Sequence, residues 1–249
     1  MFGRFFSKKN KNADLEIDFS FAGTDMHSHL IPGIDDGSQS LEESMNLIKA
    51  LYKMGFRKLI TTPHVMHDFY KNTSEIILEG LSQLRHAVSL DPELSGLTLE
   101  ASAEYYLDEG LQDKIEKKDI LTFAENYLLF EISYINAPDN LEAVIFTMQT
   151  NGYKAVLAHP ERYPYWYNDF AYYKKLKDKG VLFQININSL NGYYSPDARK
   201  IAEKLIDNKM VEFIGTDTHN NRHIEFLKKS MSEKYLNILL QQGVLNSTL

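Results

Sequence analysis

The chain has 249 residues, 43% hydrophobic and 24% charged, which is enough apolar material for a full core and too ordinary a charge content for a disordered chain. Its formal net charge of −7 argues against a nucleic-acid binder that works through a broad basic surface. It contains no cysteine, which excludes a disulfide framework and a cysteine nucleophile.

In chain order, residues 1–18 read as a flexible basic tail, with Arg4, Lys8, Lys9 and Lys11 among three phenylalanines. This segment lacks the continuous apolar stretch of a signal peptide. A weak membrane-surface contact stays open for it. Stable insertion is not expected, because no segment approaches the ~20 apolar residues of a membrane span. A soluble, cytoplasmic protein is expected, with residues 19–249 forming one domain.

Strands are predicted at 21–26, 58–62, 97–103, 127–132, 154–158, 181–187 and 211–215, from short apolar runs rich in β-forming residues. Helices fall between them. The first opens on a capping box, Ser40 to Glu43, continues with Leu41, Met45, Ile48 and Leu51 or Tyr52 at helical spacing, and ends at Gly55. Others are predicted at 71–89, 140–151, 169–179, 196–208 and 222–242; the fifth starts on Ser195-Pro196, with proline at the first helical position. Strands alternating with helices imply parallel pairing. Seven such units without a linker predict an α/β fold, a distorted (β/α)7 TIM-like barrel.

The chemistry-bearing residues gather at the ends of these strands. His27 and His29 end the first, and residues two apart share a face. His64 follows the second, Glu104 and Glu131 end the third and fourth, His159 follows the fifth, and Asp217 and His219 follow the last. Strand C-termini converge on one rim of a barrel, the usual place for an active site. A lone His-x-His is more often a polar pair at a strand end than a metal site. Matching imidazoles and carboxylates on the other strand ends shift that balance toward zinc, manganese or iron.

The loop at 31–37 is a turn in which Asp35 and Asp36 cap the backbone, or it delivers a carboxylate ligand, Asp36. Glu131 follows a buried-looking apolar run, and a buried carboxylate needs a partner or a metal. Glu104 has two oxygens with which to bridge two ions. Arg162 offers a planar fork to a phosphate, or makes a surface ion pair. His86 reads as a helix-surface residue, and His67 and His223 as rim residues. The paired tyrosines read as packing residues, with those near the rim free to meet an aromatic substrate.

These segments, DMHSHLIPGIDDG at 25–37, TTPH at 61–64, AEYY at 103–106, FE at 130–131, AHPERY at 158–163 and GTDTHN at 215–220, resemble the PHP (polymerase and histidinol phosphatase) superfamily of metal-dependent phosphoesterases. Within it the likeness is to the manganese-dependent protein-tyrosine phosphatases of bacterial capsule and exopolysaccharide loci, the CpsB/YwqE type. The resemblance implies three divalent ions, manganese foremost, with iron or zinc as alternatives. It places His27, His29, Glu104 and Asp217 on one ion, Glu104, Glu131 and His159 on a second, and Asp36, His64 and His219 on a third. It makes Arg162 a catalytic, phosphate-contacting arginine. Arg222 is a shifted counterpart of a second such arginine. The final motif reads TDTH where relatives often have SDAH, with its ligands kept. The implied reaction is phosphotyrosine hydrolysis by a metal-activated hydroxide. The implied partner is a bacterial tyrosine autokinase. A small-molecule phosphatase such as histidinol phosphatase, and a non-catalytic PHP binding domain, are the competing readings.

Overall fold

The computed structural model describes residues 18–249. The expected basic tail therefore lies outside the described residues, except for Asp18, whose carboxylate accepts from Ser20 N and caps a short turn at Phe19–Phe21. Nine strands and eight α-helices follow among the described residues. The strands are β1 (Thr24–Asp25), β2 (Lys58–Thr61), β3 (His64–Val65), β4 (Thr98–Ala101), β5 (Glu104–Tyr106), β6 (Tyr127–Glu131), β7 (Lys154–Ala158), β8 (Leu182–Asn186) and β9 (Phe213–Gly215). The helices are α1 (Leu41–Lys53), α2 (Ser74–Ser89), α3 (Glu109–Lys117), α4 (Leu141–Thr150), α5 (Phe170–Asp178), α6 (Pro196–Asp207), α7 (Asn221–Ser230) and α8 (Lys234–Gln242).

The strands pair in parallel in two sheets, ordered β1-β2-β4 and β3-β5-β6-β7-β8-β9. Each of the seven expected strand positions holds a strand, but the second and third run on past their expected ends, to Val65 and Tyr106, and are split there, so Glu104 opens β5 rather than ending the third strand. Pro63 has no N–H for a ladder, so the second position breaks into β2 and β3. The third breaks into β4 and β5 as the chain passes Ser102, whose N–H donates to Thr61 O at 2.9 Å. The segments following β1 and β9 then meet. Asp217 N donates to His27 O at 2.8 Å, His29 N to Thr218 O at 2.9 Å, and Ser28 bridges Thr218 in parallel. The result is a curled parallel sheet that brings its first and last strands together.

Alternation along the strands sorts side chains into two cores. Leu128 and Phe130 face the helices in the large core, while Leu129 belongs to a small inner core with Met26, Ile60, Val156 and Phe213. Two residues beyond Leu129 on the same face comes Glu131, and two beyond Gly215 comes Asp217. The polar layer at the strand ends therefore stacks on the inner core.

Three local expectations change. The α1 capping box forms with Ser40 Oγ accepting from Glu43 N, but the Glu43 carboxylate reaches back to Gln39 N rather than to Ser40 N. The predicted helix 222–242 is two helices, interrupted between Ser230 and Lys234. Helix α3 was not anticipated. It is short and highly charged, capped by Asp108 on Gly110 N and Leu111 N, and buries only Leu111 and Ile115. No described helix is long and apolar enough to cross a membrane.

Candidate metal centre

All nine side chains read from the sequence as ligands lie in one layer above the inner core. Glu104 is at its middle, fully buried at the start of β5. Its Oε1 lies 2.9 Å from His159 Nε2. Its Oε2 lies 3.2 Å from His27 Nε2, 3.2 Å from His64 Nδ1 and 3.5 Å from His29 Nε2. Asp217 Oδ1 sits 3.6 Å from His27 Nε2 and 3.5 Å from His29 Nε2. Glu131 is 3.2 Å from His64 Nδ1 and 3.8 Å from His159 Nε2. Asp36, half-exposed on its loop, is 3.4 Å from His64 Nε2 and 3.5 Å from His219 Nε2.

Donor atoms close enough to share an ion fall into overlapping groups: His29, Asp36, His64 and His219; His27, His29 and Asp217; His27, Glu104 and His159; His64, Glu104 and Glu131. His64 thus stands between two groups, one nitrogen toward Asp36 and the other toward Glu104 and Glu131. The electrostatics favour cations. Burial alone would raise the Glu104 carboxyl, but the imidazoles of His27 and His64 outweigh it and hold Glu104 well below the usual carboxylate range. Burial is the largest influence on His64 and disfavours its charged form, yet the carboxylates of Glu104 and Glu131 together outweigh it and lift His64 to about 9. His159 is pushed down instead, by burial and by Arg162.

A divalent cation fits this donor set. Glu104 Oε2 and His64 Nδ1 are buried without a hydrogen-bond partner, a costly arrangement for two polar atoms unless something between them is shared. Mixed nitrogen and oxygen donors without thiolate suit manganese, iron or zinc.

The surroundings orient the donors. His29 Nδ1 donates to Asp35 Oδ2 at 2.8 Å, and Asp35 also accepts from Gly37 N and His64 N. Asp35 is thus the buried orienting carboxylate and Asp36 the one turned to the cavity. Gly37 is needed there, because a Cβ would fall 2.3 Å from His29 O. His27 Nδ1 donates to Gln184 Oε1 at 2.8 Å; Gln184 in turn donates to Asn186 Oδ1 at 3.0 Å. Such partners set which imidazole nitrogen faces a metal. Two of the nine residues, His159 (φ 34°) and Asp217 (φ 51°), have left-handed backbone, a conformation that side-chain-bearing residues hold at a cost of ~1–3 kcal/mol each.

Beside this layer opens a cavity of about 500 Å³. Arg162 lines it, stacked between the rings of Tyr194 (4.0 Å) and Tyr134 (4.8 Å), with Nη1 donating to Asp217 Oδ2 at 3.1 Å. The same Asp217 oxygen accepts from Tyr194 Oη and from Asn186 Nδ2. One oxygen of Asp217 therefore faces the histidines and the other the arginine. Arg222 is exposed, 5.5 Å from the Tyr193 ring centroid, and the cavity wall there is made by Asn220 and His223. His223 Nδ1 donates to Asp217 O at 2.7 Å. Tyr70, Tyr193 and Tyr194 complete an aromatic wall, while Tyr105 and Tyr173 are packing residues. The sequence reading missed Gln184, Asn186 and Glu161. The first two had a signal: polar residues two apart in an otherwise apolar strand.

Residues 23–241 match the family described as capsular polysaccharide synthesis, CpsB/CapC. The chain belongs to the CpsB/CapC family. Among its relatives, it is 29% identical to the putative tyrosine-protein phosphatase CapC of Staphylococcus aureus over 83% of this chain and 81% of that one. It is 27% identical to the tyrosine-protein phosphatase YwqE of Bacillus subtilis, over 79% and 77%. A crystal structure described as YwqE from Bacillus subtilis and CpsB from Streptococcus pneumoniae, metal-dependent tyrosine phosphatases, superposes with a TM-score of 0.78 at 26% identity, covering 88% of this chain and 86% of that one. A Listeria monocytogenes lactonase at 12% identity shares the fold alone (TM-score 0.54).

Glu161, in the same AHPERY segment as His159 and Arg162, carries a testable pH dependence. It is fully buried, and its Oε1 accepts from Asn186 N at 2.9 Å and Ser189 Oγ at 2.6 Å. Burial pushes its pKa up to about 7. A carboxyl whose folded pKa exceeds its unfolded one stabilises fully below the unfolded value, and loses that contribution as pH rises through about 7. Glu161→Gln is therefore expected to stabilise the chelator-treated protein at pH 8, by on the order of 3 kcal/mol, and to be near neutral at pH 4.5. Thermal unfolding of both forms across this range tests it. A variant no more stable than the parent at pH 8 would contradict it.

Proposed function

We propose that this protein is a metal-dependent protein-tyrosine phosphatase built as a single domain over residues 19–249, its curled sheet a distorted (β/α)7 barrel. The observation that carries the reading is Asp217, which turns one oxygen to His27 and His29 and the other to Arg162. A phosphate held by Arg162 is thereby set against the donor layer. Three ions are proposed, on His27, His29, Glu104 and Asp217, on Glu104, Glu131 and His159, and on Asp36, His64 and His219. Divalent ions bound there supply Lewis acidity and a hydroxide source near neutral pH.

The chain's own residues do the rest. Arg162 offers its guanidinium fork to the equatorial phosphate oxygens, with its plane held by Tyr134 and Tyr194. The tyrosine walls accept an aryl group. A phenolate leaving group, with a pKa near ~10, departs with little acid assistance. Arg222 is proposed as an outer phosphate contact at the cavity rim. The substrate is a phosphotyrosine protein, which the names of the relatives support, and a bacterial tyrosine autokinase is proposed as that partner.

The test is turnover after reconstitution with manganese, iron or zinc. Phosphotyrosine peptide is expected to be hydrolysed far faster than histidinol phosphate, and a chelator is expected to abolish both. Faster turnover of histidinol phosphate would move the protein to the small-molecule branch. No turnover of any phosphomonoester, p-nitrophenyl phosphate included, would make it a binding domain.

A further inference from the structure

A second cavity, of about 230 Å³, adjoins the first. It is placed by strand alternation. In the β3–β5 pair His64 lies opposite Glu104 and Val65 opposite Tyr105. His64 and Glu104 face the donor layer, so Val65 and Tyr105 face the other side of the same two strands. There they form a buried floor with Leu111 of α3, all three at most 6% exposed. Lys71 and Lys114 flank the opening, and Met66, the residue after β3, lines both cavities. The loop after β3 joins them as well. Tyr70 lines the first cavity, Lys71 the second, and Phe69 beside them is 82% exposed.

We propose that this cavity is a subsite for an apolar side chain of the substrate polypeptide, within a few residues of the phosphotyrosine in the first cavity. The inference rests on the phosphatase reading. The volume is roughly eight times a water's share of the liquid (~30 Å³), which accommodates a leucine, methionine or phenylalanine side chain. The apolar floor selects against a polar one. An extended peptide advances ~3.3 Å per residue, so two to four residues span the thickness of the strand pair. The crossing chain passes Phe69, whose exposed ring adds apolar contact.

The probe is a series of phosphotyrosine peptides in which one leucine is moved from three residues before to three residues after the phosphotyrosine in a serine background. With the metal-reconstituted full chain, kcat/KM is expected to rise about tenfold at one leucine position, the scale of burying one apolar side chain. Lys114→Trp is the blocking variant. A helical side chain lies back over the preceding turn, so the indole covers Gly110 and Leu111 and fills the opening. It removes only a surface pair with Asp119. This variant is expected to flatten the leucine profile and leave p-nitrophenyl phosphate turnover unchanged. Lys71→Trp gives the same readout from the loop side if Lys114→Trp loses that basal turnover. A flat profile in the parent, or a peak that survives both blocking variants, overturns the subsite alone. A parent inactive on p-nitrophenyl phosphate removes the phosphatase reading and the subsite with it.

Discussion

Replacing Glu104 by glutamine is expected to lower phosphomonoester turnover by about three orders of magnitude or more and leave the fold intact. Glu104 reaches four histidines, His27, His29, His64 and His159, within 3.5 Å, and belongs to two of the four donor groups. Glutamine keeps its shape and volume, so the packing has no reason to fail. It removes the central negative charge and turns an amide toward imidazoles that need an acceptor or a shared cation. The charge it removes stabilises the folded protein above the unfolded carboxyl pKa and ceases to do so as pH falls through the depressed folded value. Metal content by mass spectrometry, turnover on p-nitrophenyl phosphate and circular dichroism check the result. Near-parental turnover with full metal content would remove Glu104 from the centre.

Arg162→Lys is expected to lower kcat/KM by about a hundredfold, which corresponds to ~2.7 kcal/mol of transition-state stabilisation, and to weaken inhibition by inorganic phosphate in parallel. Lysine keeps the charge, but it loses the planar fork and the stacking surface that sits 4.0 Å from Tyr194 and 4.8 Å from Tyr134. Inorganic phosphate carries no aryl group, so its inhibition constant isolates the arginine's grip from contacts between substrate and tyrosine walls. An unchanged inhibition constant would mean that Arg162 serves Asp217 alone, through the 3.1 Å hydrogen bond.

Much of the fold was legible because its signals are local. The strands at 127–131 and 154–158 are buried on both faces and read as unbroken apolar runs, as parallel strands covered by helices do. The Ser40 cap announced α1. Pro63 was visible too, yet its effect was not, because a split strand appears only when the ladder on either side is known. Helix α3 escaped for the opposite reason. Two buried residues, Leu111 and Ile115, are too weak a periodic signal in a nine-residue charged segment.

The sequence by itself determined the chemistry of the centre: imidazoles and carboxylates, no thiolate, near the ends of successive strand segments or, for Asp36, on the loop after the first, with an arginine three residues beyond His159. Strand periodicity is enough for that, since it places every second residue on one face. Only the tertiary structure showed that Asp35 is the buried carboxylate that orients His29, because that role depends on His29, His64 N and the close approach of Gly37 to His29 O. Only it tied Asp217 to Arg162, Tyr194, Asn186 and the two N-terminal histidines at once. Those contacts join residues up to 190 positions apart, and they exist because the sheet curls until its first and last strands meet.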